Sequence, residues 1–281
     1  MRNKKLSGEI ALRFILFVIF TITDDANPYH RAVQPEELWL YRYPHTPDFY
    51  PGKLMWITVF SVPTAVFVGF YIIRRNSEDL IQATLGVTLS IYITGCVTNF
   101  VKLVVGRPRP DFLSRCYPEG PPEHISLKDN WQWDCSETAN PQLLTNGLKS
   151  FPSGHASLSF SSLGYVSLYL AGKLQVFNRG RGQGWRFVGS IIPVIWALMI
   201  AVSRTSDFHH HWQDVTVGGI IGLVVCYFCY RQVYPSLHQM NSYLCYSLIP
   251  RELERSASAT ELSSPRPKAQ ETEFNFISRV I

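Results

Sequence analysis

Apolar residues crowd into six runs, separated by segments dense in charge, proline and glycine. The first, residues 10–23, is interrupted by Arg13 and follows a basic leader carrying Arg2, Lys4 and Lys5. A secretory signal would begin the same way, but Thr23-Asp24-Asp25 stands where small residues should mark cleavage, so an uncleaved span is expected. Residues 54–73 are nearly uncharged, with Pro63 as a kink site, and residues 80–105 hold one charge, Lys102. Residues 155–174, 187–202 and 215–230 complete the set. The pattern predicts an all-α fold, a polytopic membrane bundle of six transmembrane helices.

The polar segments set the organisation. Residues 24–53, with QPEELWLYRYP at 34–44, are too charged to span and are expected to lie along the membrane surface. Residues 74–79 form a tight polar turn, 178–186 a Gly/Arg-rich one, and 106–150 the longest loop between runs. From Pro235 the pattern dissolves, and residues 251–281 read as disordered cytosolic tail, rich in Ser, Glu and Pro. Two regions follow: a membrane domain at 1–234 and a tail at 235–281. No internal repeat is present.

Six spans put both termini on one side. Of the 26 Lys and Arg, 16 fall on the terminal side and 10 on the other, so the termini are expected in the cytosol. The loop at 106–150 and the polar stretch 203–214 then face the lumen or the outside. Trp56, Tyr71, Trp185, Trp196 and Tyr230 at run edges suit an interfacial belt. A net charge of +5 with no basic face repeating among aromatics argues against nucleic acid as partner. Cys96, Cys226 and Cys229 lie inside apolar runs, and Cys245 follows the last. Cys116 and Cys135 share one loop and would pair if it meets an oxidising compartment, and no cysteine spacing suits zinc.

Candidate chemistry sits at the ends of the runs. Residues 203–214 read SRTSDFHHHWQD, and a helix starting near His209 would put His210 and Asp214 on one face. The carboxylate could hold one imidazole nitrogen and leave the other as base or nucleophile. A solvated loop, a metal pair and a bare helix cap are the competing readings. The parity above brings two further clusters to the same side. One is Lys102 with Arg107-Pro108-Arg109-Pro110, and the other is Pro152-Ser153-Gly154-His155. Singly, the first is also a snorkelling pair and the second a plain cap. Together they supply cations, a hydroxyl, helix N-terminal amides and two histidines, an inventory for an anionic tetrahedral group.

These three motifs, in order and with unbroken spacing, resemble the type 2 phosphatidic acid phosphatase superfamily. QPEELWLYRYP, VGRPRPDF and CYRQVYP are similar to its phospholipid phosphatase four and five subgroup. The resemblance covers the chain from the first span through the sixth. It implies that His210 attacks phosphorus, that Asp214 orients it, and that His155 protonates the leaving oxygen and then activates water. Lys102, Arg109, Ser153, Gly154 and Arg204 would cradle the phosphoryl oxygens. Arg107, Asp111, His209 and His211 receive no role. No cofactor is implied. Besides Asp214 the motifs offer only Asp111 and Asp207 as carboxylates, too few for a two-metal site, so no metal is expected and activity should survive excess chelator.

The expected function is an integral membrane phosphatase of phosphatidate, lysophosphatidate or diacylglycerol pyrophosphate, in the endoplasmic reticulum or plasma membrane. Sphingosine phosphate, a polyprenyl diphosphate or glucose 6-phosphate are the alternative substrates within the superfamily. A non-catalytic lipid-phosphate binder or transporter, and a vanadate-dependent oxidase, are the readings from other classes. Homo-oligomerisation stays open. The terminus Ser278-Arg279-Val280-Ile281 reads as a ligand for a cytosolic partner or as an incidental ending, and Ser256 and Ser258 as phosphorylation sites or plain tail.

Overall fold

The computed structural model of the chain describes residues 2–122, 125, 133–178, 183–250 and 252. Most of the expected tail, with Ser256, Ser258 and the chain terminus, and residues 179–182 of the Gly/Arg-rich turn lie outside these. Among the described residues the elements are helical, with no strand. They are α1 (Arg2–Asp25), a 3-10 helix (Pro35–Tyr41), α2 (Gly52–Arg74), α3 (Ser77–Val105), α4 (Phe112–Cys116), α5 (Pro141–Gly147), α6 (Gly154–Lys173), α7 (Gly184–Ser206) and α8 (Trp212–Val233). One compact unit comprises Met1–Cys245. In the second, Tyr246–Ile281, the Glu252 N–H donates to the Leu248 carbonyl.

Five helices are long and apolar enough to cross a membrane: Leu6–Asp25 within α1, and α2, α3, α7 and α8. The expected fourth span, α6, has 20 residues but a polar composition, with serines at 157, 159, 161, 162 and 167. The cause is position. α6 packs against α2, α3, α7 and α8, so 16 of its residues are buried against protein. Several of its hydroxyls find partners there: Ser161 Oγ pairs with Ser90 Oγ (2.7 Å), and Thr98 Oγ1 donates to Ser157 Oγ (2.8 Å). Ser162 Oγ donates to the Val59 carbonyl (2.7 Å). Helices meeting through small residues approach closely enough for such bonds. Gly218 and Gly222 of α8 are the clearest case, because a Cβ at either would collide with the Ser153 or Ser157 carbonyl of α6.

The interruption in the first run has a partner. Arg13 is buried and donates to the Leu85 carbonyl (2.6 Å), to Thr88 Oγ1 (3.1 Å) and to Glu9 (2.7 Å), which ties α1 to α3. Residues 24–53, expected along the surface, are partly buried instead. Val33 and Tyr41 join Phe112, Leu113, Cys116 and Leu148 in a second core above the bundle. Cys116 and Cys135 are disulfide-bonded beside this core, their Cα atoms 4.7 Å apart.

Candidate active site

Four helix termini meet at one end of the bundle: the last turns of α3 and α7 and the first turns of α6 and α8. Backbone hydrogen bonds lock their loops together. The Arg109 N–H donates to Gly147 O (2.8 Å) and Ser150 N–H to Arg107 O (3.0 Å), joining the first cluster to the approach of α6. Ser153 N–H donates to Asp214 O (2.9 Å), joining α6 to α8, and His210 N–H returns to Arg204 O (2.9 Å). Gly106 ends α3 at φ +55°, and a side chain there would strike the Tyr29 carbonyl.

These termini enclose a cavity of about 530 Å³. Lys102, Arg109, Gly154, His155, Arg204 and His210 all line it. Ser153 and Asp214 do not reach its wall; both are fully buried just behind it. Ser153 is the N-cap of α6, its Oγ accepting from Ala156 N–H, so the N-terminal amides of that helix open toward the cavity. Gly154 has a specific use: a Cβ there would stand 3.2 Å from Lys102 Nζ and crowd the ammonium.

Neither the Lys102 ammonium nor the Arg109 guanidinium makes a side-chain hydrogen bond among the described residues. Burial, with Arg115 beside it, pulls Arg109 down to about 10, so it stays charged at neutral pH. Arg204 is 1% exposed and is already engaged, donating to Asp48 Oδ1 (2.9 Å) and to Asp207 Oδ2. His155 Nε2 is buried with no partner. An anion with several oxygens would satisfy all of these donors at once.

His210 and Asp214 differ from the sequence expectation. The helix begins at Trp212 rather than near His209, so His210 sits in the turn before it. Its Nδ1 stands 3.8 Å from Asp214 Oδ2, beyond hydrogen-bond reach, and has no other partner. The carboxylate is instead held by Arg107 Nη1 on Oδ1 (2.6 Å) and by Ser150 Oγ (2.5 Å) and His211 N–H (3.1 Å) on Oδ2. Burial lowers His210 to about 3, with the Arg109 and Lys102 charges adding to it against the pull of Asp214. Its imidazole is neutral at physiological pH.

The neighbours left without a role now have positions. Arg107 and His211 hold Asp214, Asp111 accepts both bonds of a fork from Arg115 (3.0 and 2.7 Å) and faces His45 (2.6 Å), and His209 faces Asp207 and Asp48. Sequence reasoning missed His45, Asp48 and Ser150. Nothing in their local pattern marks them: residues 24–53 fold back to bring His45 and Asp48, and Ser150 is placed by its bonds to Arg107 and Asp214. His45, Asp111 and His209, and likewise Asp48, Asp207 and His209, lie close enough to share a cation. Their carboxylates are already paired with Arg115 and Arg204, whose positive charges oppose a further cation there.

A bundle of apolar helices with a cavity lined by cations and histidines at the meeting of its helix ends defines the class. Residues 83–238 match the model of the PAP2 superfamily, and the chain belongs to that family. It is 41% identical over 221 residues to lipid phosphate phosphatase 2 of Arabidopsis thaliana, covering 79% of this chain and 74% of that protein. It is 33% identical over 216 residues to diacylglycerol pyrophosphate phosphatase 1 of Saccharomyces cerevisiae, covering 75% and 73%. A probable diacylglycerol pyrophosphate phosphatase 1 of Schizosaccharomyces pombe is 32% identical over 237 residues, covering 84% and 82%. No solved structure matches.

Proposed function

We propose that this chain is a membrane phosphatase that removes phosphate from phosphatidate, lysophosphatidate or diacylglycerol pyrophosphate through a phosphohistidine. The observation that carries the reading is the single cavity lined by Lys102, Arg109, Gly154, His155, Arg204 and His210. His210 Nε2, the nitrogen turned from Asp214, attacks phosphorus as the bond to the leaving oxygen breaks. His155 gives that oxygen its proton, then takes one from the water that attacks the phosphohistidine and releases phosphate. Lys102, Arg109, Arg204 and the α6 amides neutralise the oxygens throughout. Loaded with substrate, the 3.8 Å gap from Asp214 to His210 closes to a hydrogen bond that supports the charged imidazole.

A cavity at the ends of apolar helices suits a substrate with a charged head and tails in lipid. Phe20, Met55, Trp56 and Leu158 give it an apolar flank. In the proposed topology α6 is the fourth of six spans, both termini are cytosolic and the cavity opens to the lumen or outside, in the endoplasmic reticulum or plasma membrane. An oxidising compartment there accords with the Cys116–Cys135 bond. The names of relatives cover both monoester and pyrophosphate lipids, and the cavity chemistry serves either.

The test is phosphate release by purified protein from a panel of lipid phosphates, with and without EDTA. His210→Ala is expected to abolish release while membrane insertion stays normal, and wild-type turnover in that variant would remove His210 from its role. Unchanged turnover in EDTA is expected, and loss restored by magnesium would require a metal route instead.

A further inference from the structure

At the other end of the bundle lies a second cavity that the phosphatase reading does not use. Arg74 is the last residue of α2 and Lys173 the last of α6, whereas the phosphate cavity takes the first turn of α6. A helix of 20 residues separates the two by roughly 30 Å. The second cavity has a volume of about 300 Å³ and is lined by Arg74, Lys173, Gln175, Asn178, Asn241 and Tyr243, with Met240 at its edge. No carboxylate lines it among the described residues.

Three features point to an anion. The Arg74 guanidinium lies over the rings of Phe70 and Tyr243, 6.0 and 5.9 Å from their centroids, and makes no hydrogen bond to a described residue. Lys173 Nζ donates to Asp79 Oδ1 (2.6 Å) and the Tyr243 carbonyl (2.6 Å), which leaves one of three ammonium protons for a ligand. Asn178 is 4% exposed, yet neither its amide nitrogen nor its oxygen has a partner. A buried, unsatisfied amide is destabilising and is kept where something else completes it. Gln175 also lines the cavity, its amide nitrogen donating to the Met240 carbonyl (3.0 Å).

We propose that this cavity binds a phosphoryl headgroup, with Arg74 and Lys173 supplying charge and the Asn178 amide a neutral donor. Basic pockets between helices at the membrane boundary select anionic heads in this way. The same chemistry would accept free phosphate, so both sources belong in the test. The site is separate from the phosphatase reading and stands if that reading falls.

The experiment uses the full chain in nanodiscs of phosphatidylcholine carrying phosphatidylglycerol, a phosphodiester that offers no terminal phosphate to remove. Lipids held after transfer to detergent are counted by native mass spectrometry, and inorganic phosphate binding is measured in parallel by calorimetry. Wild type is expected to keep one phosphatidylglycerol. Arg74→Gln and Asn178→Leu should each lower that occupancy about tenfold, as losing a charge-assisted or buried donor implies, while Arg74→Lys retains it. Loss of inorganic phosphate binding in the same variants, without retained lipid in wild type, would assign the site to the free ion. Equal retention in wild type and both variants, with no phosphate binding, overturns the proposal. Phosphate release from a soluble substrate reports folding independently, since neither residue touches the catalytic cavity.

Discussion

Asp214 is fully buried and takes four hydrogen bonds, from Arg107, Ser150 and both the N–H and the ring of His211, none from His210. Its charge is therefore fixed in place before substrate arrives, and Arg107 is the guanidinium that meets its Oδ1. Arg107→Ala is expected to leave the carboxylate short of its 2.6 Å partner and to lower kcat about tenfold or more with a smaller change in KM. A variant with KM raised and kcat unchanged would make Arg107 a substrate contact instead. His210 gives a pH signature. Its value in the folded protein, about 3, lies below the roughly 6.5 of an unfolded histidine, so the unfolded chain binds the extra proton between the two. Stability linked to His210 is complete above about pH 6.5 and is lost as pH falls toward 3. The thermal midpoint of wild type should drop more steeply than that of His210→Gln over that window. Parallel curves for the two would show that burial does not hold the imidazole neutral.

Among the elements, α8 was both legible and misjudged. Its apolar run from 215 to 230 fixed the helix, but the expected start near His209 overlooked His211 as N-cap and Asp214 as the residue closing back onto it. Short-range pattern could have found that pair, because the spacing is a capping box with histidine in place of serine. Ser150, Asp48 and His45 were not legible by any such means. They reach the site through loops whose course is set by Arg109–Gly147 and Thr46–Asp207 bonds far apart in sequence. The six cavity residues, by contrast, were readable because each sits at a helix end with fixed spacing to a proline, glycine or aspartate. Packing of α8 on α6 is the most sensitive element contact. Gly222→Val is expected to destabilise the protein by about 2–4 kcal/mol, read as a lower midpoint in detergent, because the backbone of α6 must move. An unchanged midpoint would mean that the helices yield easily.

For the whole molecule, the second core ties residues 33–41 to the loop that follows α3. Tyr41, Phe112, Leu113 and Cys116 are all buried there, and the disulfide joins positions 19 apart in sequence. Cys116→Ser with Cys135→Ser is expected to lower stability by about 3 kcal/mol and to loosen the segment carrying His45 and Asp48, seen as faster hydrogen exchange there. Exchange confined to residues 116–135 would separate the disulfide from the site. Overall class and cavity membership followed from composition and spacing, while the second core required tertiary contacts that no local pattern encodes.

The serine-rich face of α6 has a consequence for biosynthesis. A segment in which Ser157, Ser161 and Ser162 rely on Thr98, Ser90 and Val59 of other helices has little affinity for lipid on its own. In the proposed topology it integrates by docking onto α2 and α3, already inserted when it leaves the ribosome. Fused alone to a reporter it should slip through the translocon, and the same segment preceded by residues 1–105 should stay.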